Sequence, residues 1–343
     1  MEAKKLKKEQ ELREVKIEKA PADGVYPDSF YATTNRRTEI FHRGRWIEVE
    51  DIEMDCAIAV DKDGARTVKL EEVNEGDRIV TGKKGVRVSD PVSGEGGGQN
   101  QGFGFMQSTI SMEKSKGEKI TAIAEEMKNI RRSGGYITVV AGPAVIHTGA
   151  GSALAALIRE GFIDGLLAGN ALAVHDIEAA LYGTSLDCPL NGEECRSGDS
   201  SRHAMHLRAI NKIRAAGSIE AAVAEGTLNK GIMYEAVRKN IDYLLAGSIR
   251  DDGPLPETVK NTSRAQNEMR KIARRSDMVL MMATMLHSIA TGNMLPASTR
   301  TVCVDINSDT VTKLADRGSA QALGLVTDVE LFLDVLTDRL NIN

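Results

Sequence analysis

The 343-residue sequence is short of several things, and each shortage closes off a class of function. Positive charge is not in surplus. With a formal net charge of −5, the chain has no excess of cations to neutralise phosphates, which argues against nonspecific nucleic-acid binding and leaves only a local basic patch open. Long apolar runs are missing: "MVLMMATML" is too short to span a bilayer. The charged start, "MEAKKLKKEQELREVKIEKA", has no apolar core of a secretory signal, so a cytoplasmic location is expected. Cysteine is sparse, and Cys56, Cys188, Cys195 and Cys303 do not have the short spacings of a structural zinc site. They read as reduced, mostly structural thiols, and no metal is expected. The histidines give no Ser–His–Asp order. His203 and His206 in "SRHAMHLRAINKIR" are an incomplete metal site, better read as a polar helix face. No 20–50-residue repeat is visible, which excludes a solenoid.

What is present divides the chain. Residues 1–21 read as a charged extension that frays or forms a solvated helix. Residues 22–92 read as a small β-rich domain, a compact barrel or sandwich. "TEIFHRGRWIEVE" predicts a hairpin around His42 to Arg45, "CAIAVDKDGARTVKL" a second one turning at Asp63-Gly64, and "VNEGDRIVTGKKGVRV" two further strands. The glycine-rich 93–110 reads as a linker. Residues 111–343 alternate apolar strand-like runs with helical segments: "YITVVAG", "GLLAGN", "YLLAGS", "MVLMMAT", "TVCVDI" and "ALGLVT". That alternation predicts an α/β domain with a parallel, Rossmann-like sheet covered on both faces.

In such a sheet, ligands bind beyond the carboxyl ends of the strands. "GPAVIHTGAG", from Gly142 through Pro143, His147, Thr148 and Gly149, follows a predicted strand and precedes a predicted helix. Small residues there let backbone approach a pyrophosphate at a helix N-terminus, although a tight structural turn explains them equally simply. Gly169, Asn170 and Ala171 end a second strand, and Gly247 with Arg250, Asp251 and Asp252 follows a third. His175 and Asp176 fall on the helix after the second strand, either near the ligand or as a surface turn. Asp305 and Asn307 stand where a buried strand runs out, suited to the hydroxyls of an adenosine ribose and favouring NAD over NADP. Asp328 is a second acid of this kind or a helix cap. "MVLMMATMLHS" reads as core packing. In the β-rich part, Asp55 beside Cys56 reads as a carboxylate at a cleft lip or a turn acid.

These motifs occur in a familiar order. "DGVYPDSFYATTNRRTEI", "WIEVEDIEMDCAIAV" and "GDRIVTGKKGVRV", followed by "VVAGPAVIHTGAG", "LLAGNALAVHDIE" and "VCVDINSDTV", resemble the archaeal-type ornithine cyclodeaminase family. That family carries the LOR/SDH conserved domain and is similar to the C-terminal half of cyanobacterial arginine dihydrolase/ornithine cyclodeaminase enzymes. The resemblance covers roughly residues 22–340 and implies a deoxyhypusine-synthase-like NAD-binding domain. It also implies conversion of L-ornithine to L-proline and ammonia, with hydride lent to a retained NAD and then returned. A closed cleft would keep the intermediate from water. On this resemblance Asp55 and Cys56 are the catalytic candidates, with Thr33, Thr34 and Asn35 lining the amino-acid pocket. A homo-oligomer is expected. Two departures stand out: family members carry a further N-terminal domain where this chain has a charged stretch, and "FMQSTISMEKSK" is less serine-rich than the resemblance implies. The competing readings are an NAD-dependent amino-acid dehydrogenase and a non-catalytic NAD-binding regulatory or partner subunit.

Overall fold

The computed structural model describes residues 14–89, 116–185, 188–190, 204–251, 253–316 and 322–342. The proposed linker, "FMQSTISMEK", Cys195, His203 and Asp252 lie outside them. The chain divides into two units. The described part of the first is 14–89 with 292–298, and that of the second is 116–185, 188–190, 204–251, 253–291, 299–316 and 322–342.

The first unit is one seven-stranded sheet. Its strands are β1 (Lys16–Lys19), β2 (Thr38–His42), β3 (Arg45–Glu50), β4 (Ala57–Val60), β5 (Ala65–Val68), β6 (Arg78–Thr81) and β7 (Val86–Val88), in the order β1-β6-β4-β5-β3-β2-β7. All neighbours pair antiparallel except β3 and β5. The first predicted hairpin forms with His42 opposite Arg45. Its two central residues, Arg43 and Gly44, both have positive φ (54° and 76°), as a two-residue turn matched to strand twist requires. The second hairpin is closed differently from expectation. The Asp61 carboxylate accepts from the Asp63 and Gly64 amides, both at 2.8 Å, so a side chain rather than glycine's conformational freedom makes the turn.

The charged start is not helical where it is described. Lys16–Lys19 pair with β6, and lysine and glutamate side chains suit this edge because they discourage further strand addition. Successive residues of the central strands enter different cores, as the period-two pleat dictates. Ile58 and Val80 join Val15, Ile40, Val49, Val60 and Ala65, while Ala57 and Ile79 join Ala20, Tyr26, Val68 and Val73. Trp46 on β3 packs edge-on against Phe41, ring centroids 5.3 Å apart, beneath the Arg87 guanidinium at 4.2 Å.

The second unit holds a six-stranded, wholly parallel sheet: β8 (Ile137–Ala141), β9 (Gly165–Gly169), β12 (Asp242–Ala246), β13 (Met278–Met282), β14 (Arg300–Asp305) and β15 (Ala322–Val326). All six were expected from their apolar runs. The short pair β10 (Thr184–Ser185) and β11 (Cys188–Pro189) lies apart. The spatial order β12-β9-β8-β13-β14-β15 is 3-2-1-4-5-6 in order of appearance, the doubly wound order, and it reverses between β8 and β13. The helices are α1 (Lys116–Arg132), α2 (Ala144–His147), α3 (Gly151–Arg159), α4 (Asn170–Tyr182), α5 (Met205–Ala216), α6 (Ile219–Ala224), α7 (Ile232–Lys239), α8 (Thr262–Ala273), α9 (Met285–Met294), α10 (Ser308–Asp316) and α11 (Val329–Leu340). The sheet buries β8 and β13 completely, which is why these strands read as unbroken apolar runs rather than alternating ones. No described helix is long and apolar enough to cross a membrane.

Candidate functional site

The turn after β8 spends most of its amides on itself. The N–H of Gly142 donates to Met282, and those of Val145, Ile146, His147, Thr148 and Gly149 donate to carbonyls between Gly142 and Ile146. The helix that follows, α3, starts without a side-chain cap. Gly142 is required by packing: a Cβ would strike the Ala283 carbonyl and lie 2.9 Å from Thr284 Cβ. Gly149 has φ +93° and faces Glu330. The small residues therefore let the β8 and β13 loops touch, and the structural-turn alternative accounts for Gly142 and Thr148, whose Oγ1 bonds the Ala144 carbonyl at 3.0 Å.

The cavity opens beside this turn, over the ends of β8, β9, β12 and β13. It measures about 560 Å³ and is lined by Pro143, His147, Gly169, Asn170, Ala171, Val174, His175, His206, Ile210, Ala246, Ser248, Arg250, Asp251, Thr284, Leu286 and His287. The α4 N-terminus faces it. Gly169 is the N-cap in extended conformation with no side-chain cap bond, so the first-turn amides of α4 lack an intrahelical partner and carry the positive end of the helix dipole. Gly169 also admits a neighbour: a Cβ would lie 2.9 Å from His287 Cε1. The His287 pKa is lowered by burial, so that ring is neutral near pH 7.

The remaining expected residues are placed in different ways. The Asn170 Oδ1 is structural, accepting from the Leu255 amide (3.0 Å) and Thr258 Oγ1 (2.9 Å), so that oxygen is not left for a ligand. Gly247 packs against Val259 and Lys260 and pairs with Val259, while its neighbours Ala246 and Ser248 reach the cavity. Asp305 and Asn307 end β14 outside the cavity lining. Asp305 Oδ1 accepts the Asn307 amide, and Asn307 Oδ1 the Asp309 amide, both at 2.8 Å. Asp328 caps α11 by accepting from Glu330 and Leu331. Asp176 is neither a surface turn nor a ligand contact: fully buried, it accepts the Ile232 and Met233 amides at 2.8 Å and caps α7.

The sequence reading missed Thr284, Leu286 and His287, which line the cavity. They follow β13, the strand that flanks the reversal of strand order, and that position is the signal that could have found them. The core-packing assignment holds for Met278, Met281 and Met282, which are fully buried, whereas Met285 and Leu286 are exposed. Cys303 is buried, which pushes its thiol up to about 12 and suits a structural role.

In the β unit, Thr33 is buried. Its Oγ1 bonds the carbonyls of Glu53 (2.6 Å) and Cys56 (3.0 Å) and accepts the Cys56 amide at 3.1 Å. Thr33 and buried Cys56 thus spend polar groups on fastening two loop segments together. Asn35 is buried with its Nδ2 unpartnered, while its carbonyl accepts from Ala297. Thr34 is exposed, and so is Asp55, whose φ of +61° is unusual for a residue with a side chain. Among the described residues no cluster of three or more His, Cys, Asp or Glu could hold a metal.

Comparison with known proteins agrees with this architecture. Two family models match in tandem: "Arginine dihydrolase ArgZ-like, C-terminal, first region" over residues 37–120 and "Arginine dihydrolase ArgZ-like, C-terminal, Rossmann fold" over residues 121–336. An ornithine cyclodeaminase of Methanothermobacter thermautotrophicus is 52% identical over 95% of this chain and 79% of its own length. The crystal structure of a LOR/SDH protein from Methanococcus maripaludis superposes with a TM-score of 0.87 at 45% identity, covering 96% of this chain and 98% of the other. AgrE, crystallised as a ternary complex with ornithine and NAD⁺, matches with a TM-score of 0.63 at 44% identity, over 97% of this chain and 46% of AgrE. The chain belongs to the ArgZ-like C-terminal family, the family of its ornithine cyclodeaminase relatives.

Proposed function

We propose that this protein is an ornithine cyclodeaminase that converts L-ornithine to L-proline and ammonia with a retained NAD. The observation that carries the reading is the open end of α4 in a cavity at the strand-order reversal, in a chain 44% identical to a protein crystallised with ornithine and NAD⁺. The cavity fits a dinucleotide: it presents the N-terminus of α4 at Asn170 and Ala171, an apolar rim residue in Leu286 and polar groups at Ser248 and Thr284. Asp305 is the acid proposed for the adenosine ribose, since β9 ends in Gly169-Asn170 without a carboxylate. When bound, NAD supplies a reversible hydride acceptor, so that oxidation at the α-carbon is later undone and no net redox change results.

The chain's residues bind, orient and exclude water. Of the β-unit candidates, Asn35 offers an unpartnered buried amide nitrogen suited to a carboxylate. Asp55 is the proposed anchor for an ammonium group, with Thr34 beside Asn35 as a further contact. Thr33 and Cys56 support them by holding the segments in place. The same reading implies proline formation within arginine and ornithine metabolism, in the cytoplasm, by a homo-oligomer. Incubation of the purified protein with ornithine and catalytic NAD⁺ tests it. Proline and ammonia should form in equal amounts without lasting nicotinamide absorbance. Net NADH accumulation would instead identify a dehydrogenase, and NAD⁺ binding without turnover a regulatory subunit.

A further inference from the structure

A carboxylate, two imidazoles and two hydroxyls form a continuous chain in the cavity wall. Glu178 on α4 is fully buried. One of its oxygens accepts from Thr184 Oγ1 at 2.9 Å, and the other lies 3.0 Å from His175 Nδ1. The His175 ring stands edge-on to His147, centroids 4.8 Å apart at 66°. His147 Nδ1 lies 2.6 Å from Ser185 Oγ. Both rings line the cavity. The two hydroxyls come from β10, which follows directly after the Gly183 that ends α4 in a left-handed conformation. The helix and its exit therefore hold both ends of the chain.

Because a carboxylate only accepts, this pairing places a hydrogen on His175 Nδ1 and leaves Nε2 as the proton-accepting nitrogen. An imidazole held from behind by a carboxylate, inside a cavity, is the arrangement that makes a general base. His147 does not compete as a second cation: burial, with His175 beside it, lowers its pKa, so it is neutral near pH 7. The other titratable groups lining the cavity are His206 from α5, Arg250 and Asp251 from the loop after β12, and His287 on α9. From α7, which packs on α4, Ile232, Met233 and Ala236 are buried, and its Glu235 lies 3.9 Å from Arg159.

We propose that His175, positioned by Glu178, is the proton carrier of the reaction. Its Nε2 takes one proton from the α-ammonium of ornithine before hydride leaves Cα, and the δ-amine, its surplus protons passed to solvent, then bonds to that carbon. His175 returns its proton to the α-nitrogen as the ring-nitrogen lone pair forms the C=N bond and the Cα–N bond breaks. The bonding pair leaves with the nitrogen, as ammonia. The proposal rests on the ornithine cyclodeaminase reading. His175 is the catalytic group, and Glu178 acts through it.

The test uses the full chain with NAD⁺. His175→Gln should lower kcat by roughly 10²–10⁴-fold, the usual worth of a positioned acid/base group, with a much smaller change in KM for ornithine. Glu178→Gln should lower kcat by about tenfold or more with KM for ornithine little changed, because the ring loses the acceptor that fixes its tautomer. In the unaltered enzyme, ring-nitrogen NMR shifts should report His175 as the Nδ1–H tautomer, a readout independent of how well either variant folds. Turnover retained by a folded His175→Gln, kcat unchanged in a folded Glu178→Gln, or a neutral His175 ring carrying its hydrogen on Nε2 would each overturn the proposal while leaving the cyclodeaminase reading intact. Failure of the unaltered protein to bind NAD⁺ or convert ornithine would overturn that reading, and the proposal with it.

Discussion

At the scale of single residues, Asp176 shows how a polar side chain serves the fold from inside it. Its two oxygens cap α7, and burial raises its pKa to about 6 from 3.8. Replacing it with alanine strands two amides, so Asp176→Ala should cost about 2–4 kcal/mol in urea unfolding near neutral pH. The pH dependence has a definite sign. A folded-state pKa above the unfolded value favours the protonated carboxyl in the native state. The stability difference between wild type and Asp176→Ala should therefore grow as pH falls from about 7 toward 4, and be smallest above the folded pKa. Asp305 gives a second expectation. Removing its charge in Asp305→Ser should weaken NAD⁺ binding and narrow the preference over NADP⁺ by about tenfold, read by calorimetry with both dinucleotides. The capping role of Asp328 was one of two readings the sequence offered, whereas that of Asp176 was not readable. Asp176 and Asp328 answer to helix termini, and whether an acid caps or binds depends on which amides tertiary packing brings to it.

At the scale of elements, most of the architecture was legible. Each parallel strand is a short apolar run bounded by polar or glycine residues, and a strand buried on both faces can hardly look otherwise. The doubly wound order itself was not legible, since a run of apolar residues does not name its neighbours. Nor was the work of Gly142, where sequence suggests a ligand and the structure supplies the Ala283 backbone. Gly142→Ala should therefore destabilise by about 1–3 kcal/mol through overpacking. It should also weaken NAD⁺ binding by displacing Thr284, a cavity residue, as thermal unfolding and calorimetry on the same sample would show. Lys16–Lys19 illustrate the opposite failure. A run of alternating charge suggests a solvated helix, yet the β6 edge recruits it, a tertiary override of local preference.

At the scale of the whole molecule, a ligand that binds only the native state adds stability by mass action. NAD⁺ at about a hundred times its dissociation constant should contribute about 2.7 kcal/mol. A thermal scan should accordingly show a rise in Tm with NAD⁺ that exceeds the rise with NADP⁺ at equal concentration. The chain's single tryptophan, Trp46, lies in the β unit between Phe41 and Arg87, whereas all eleven described α-helices begin in the other unit. Intrinsic fluorescence and far-ultraviolet dichroism consequently watch different parts of the polypeptide. Melting curves that coincide for the two signals would mean one cooperative transition, and curves that separate would reveal which portion lets go first.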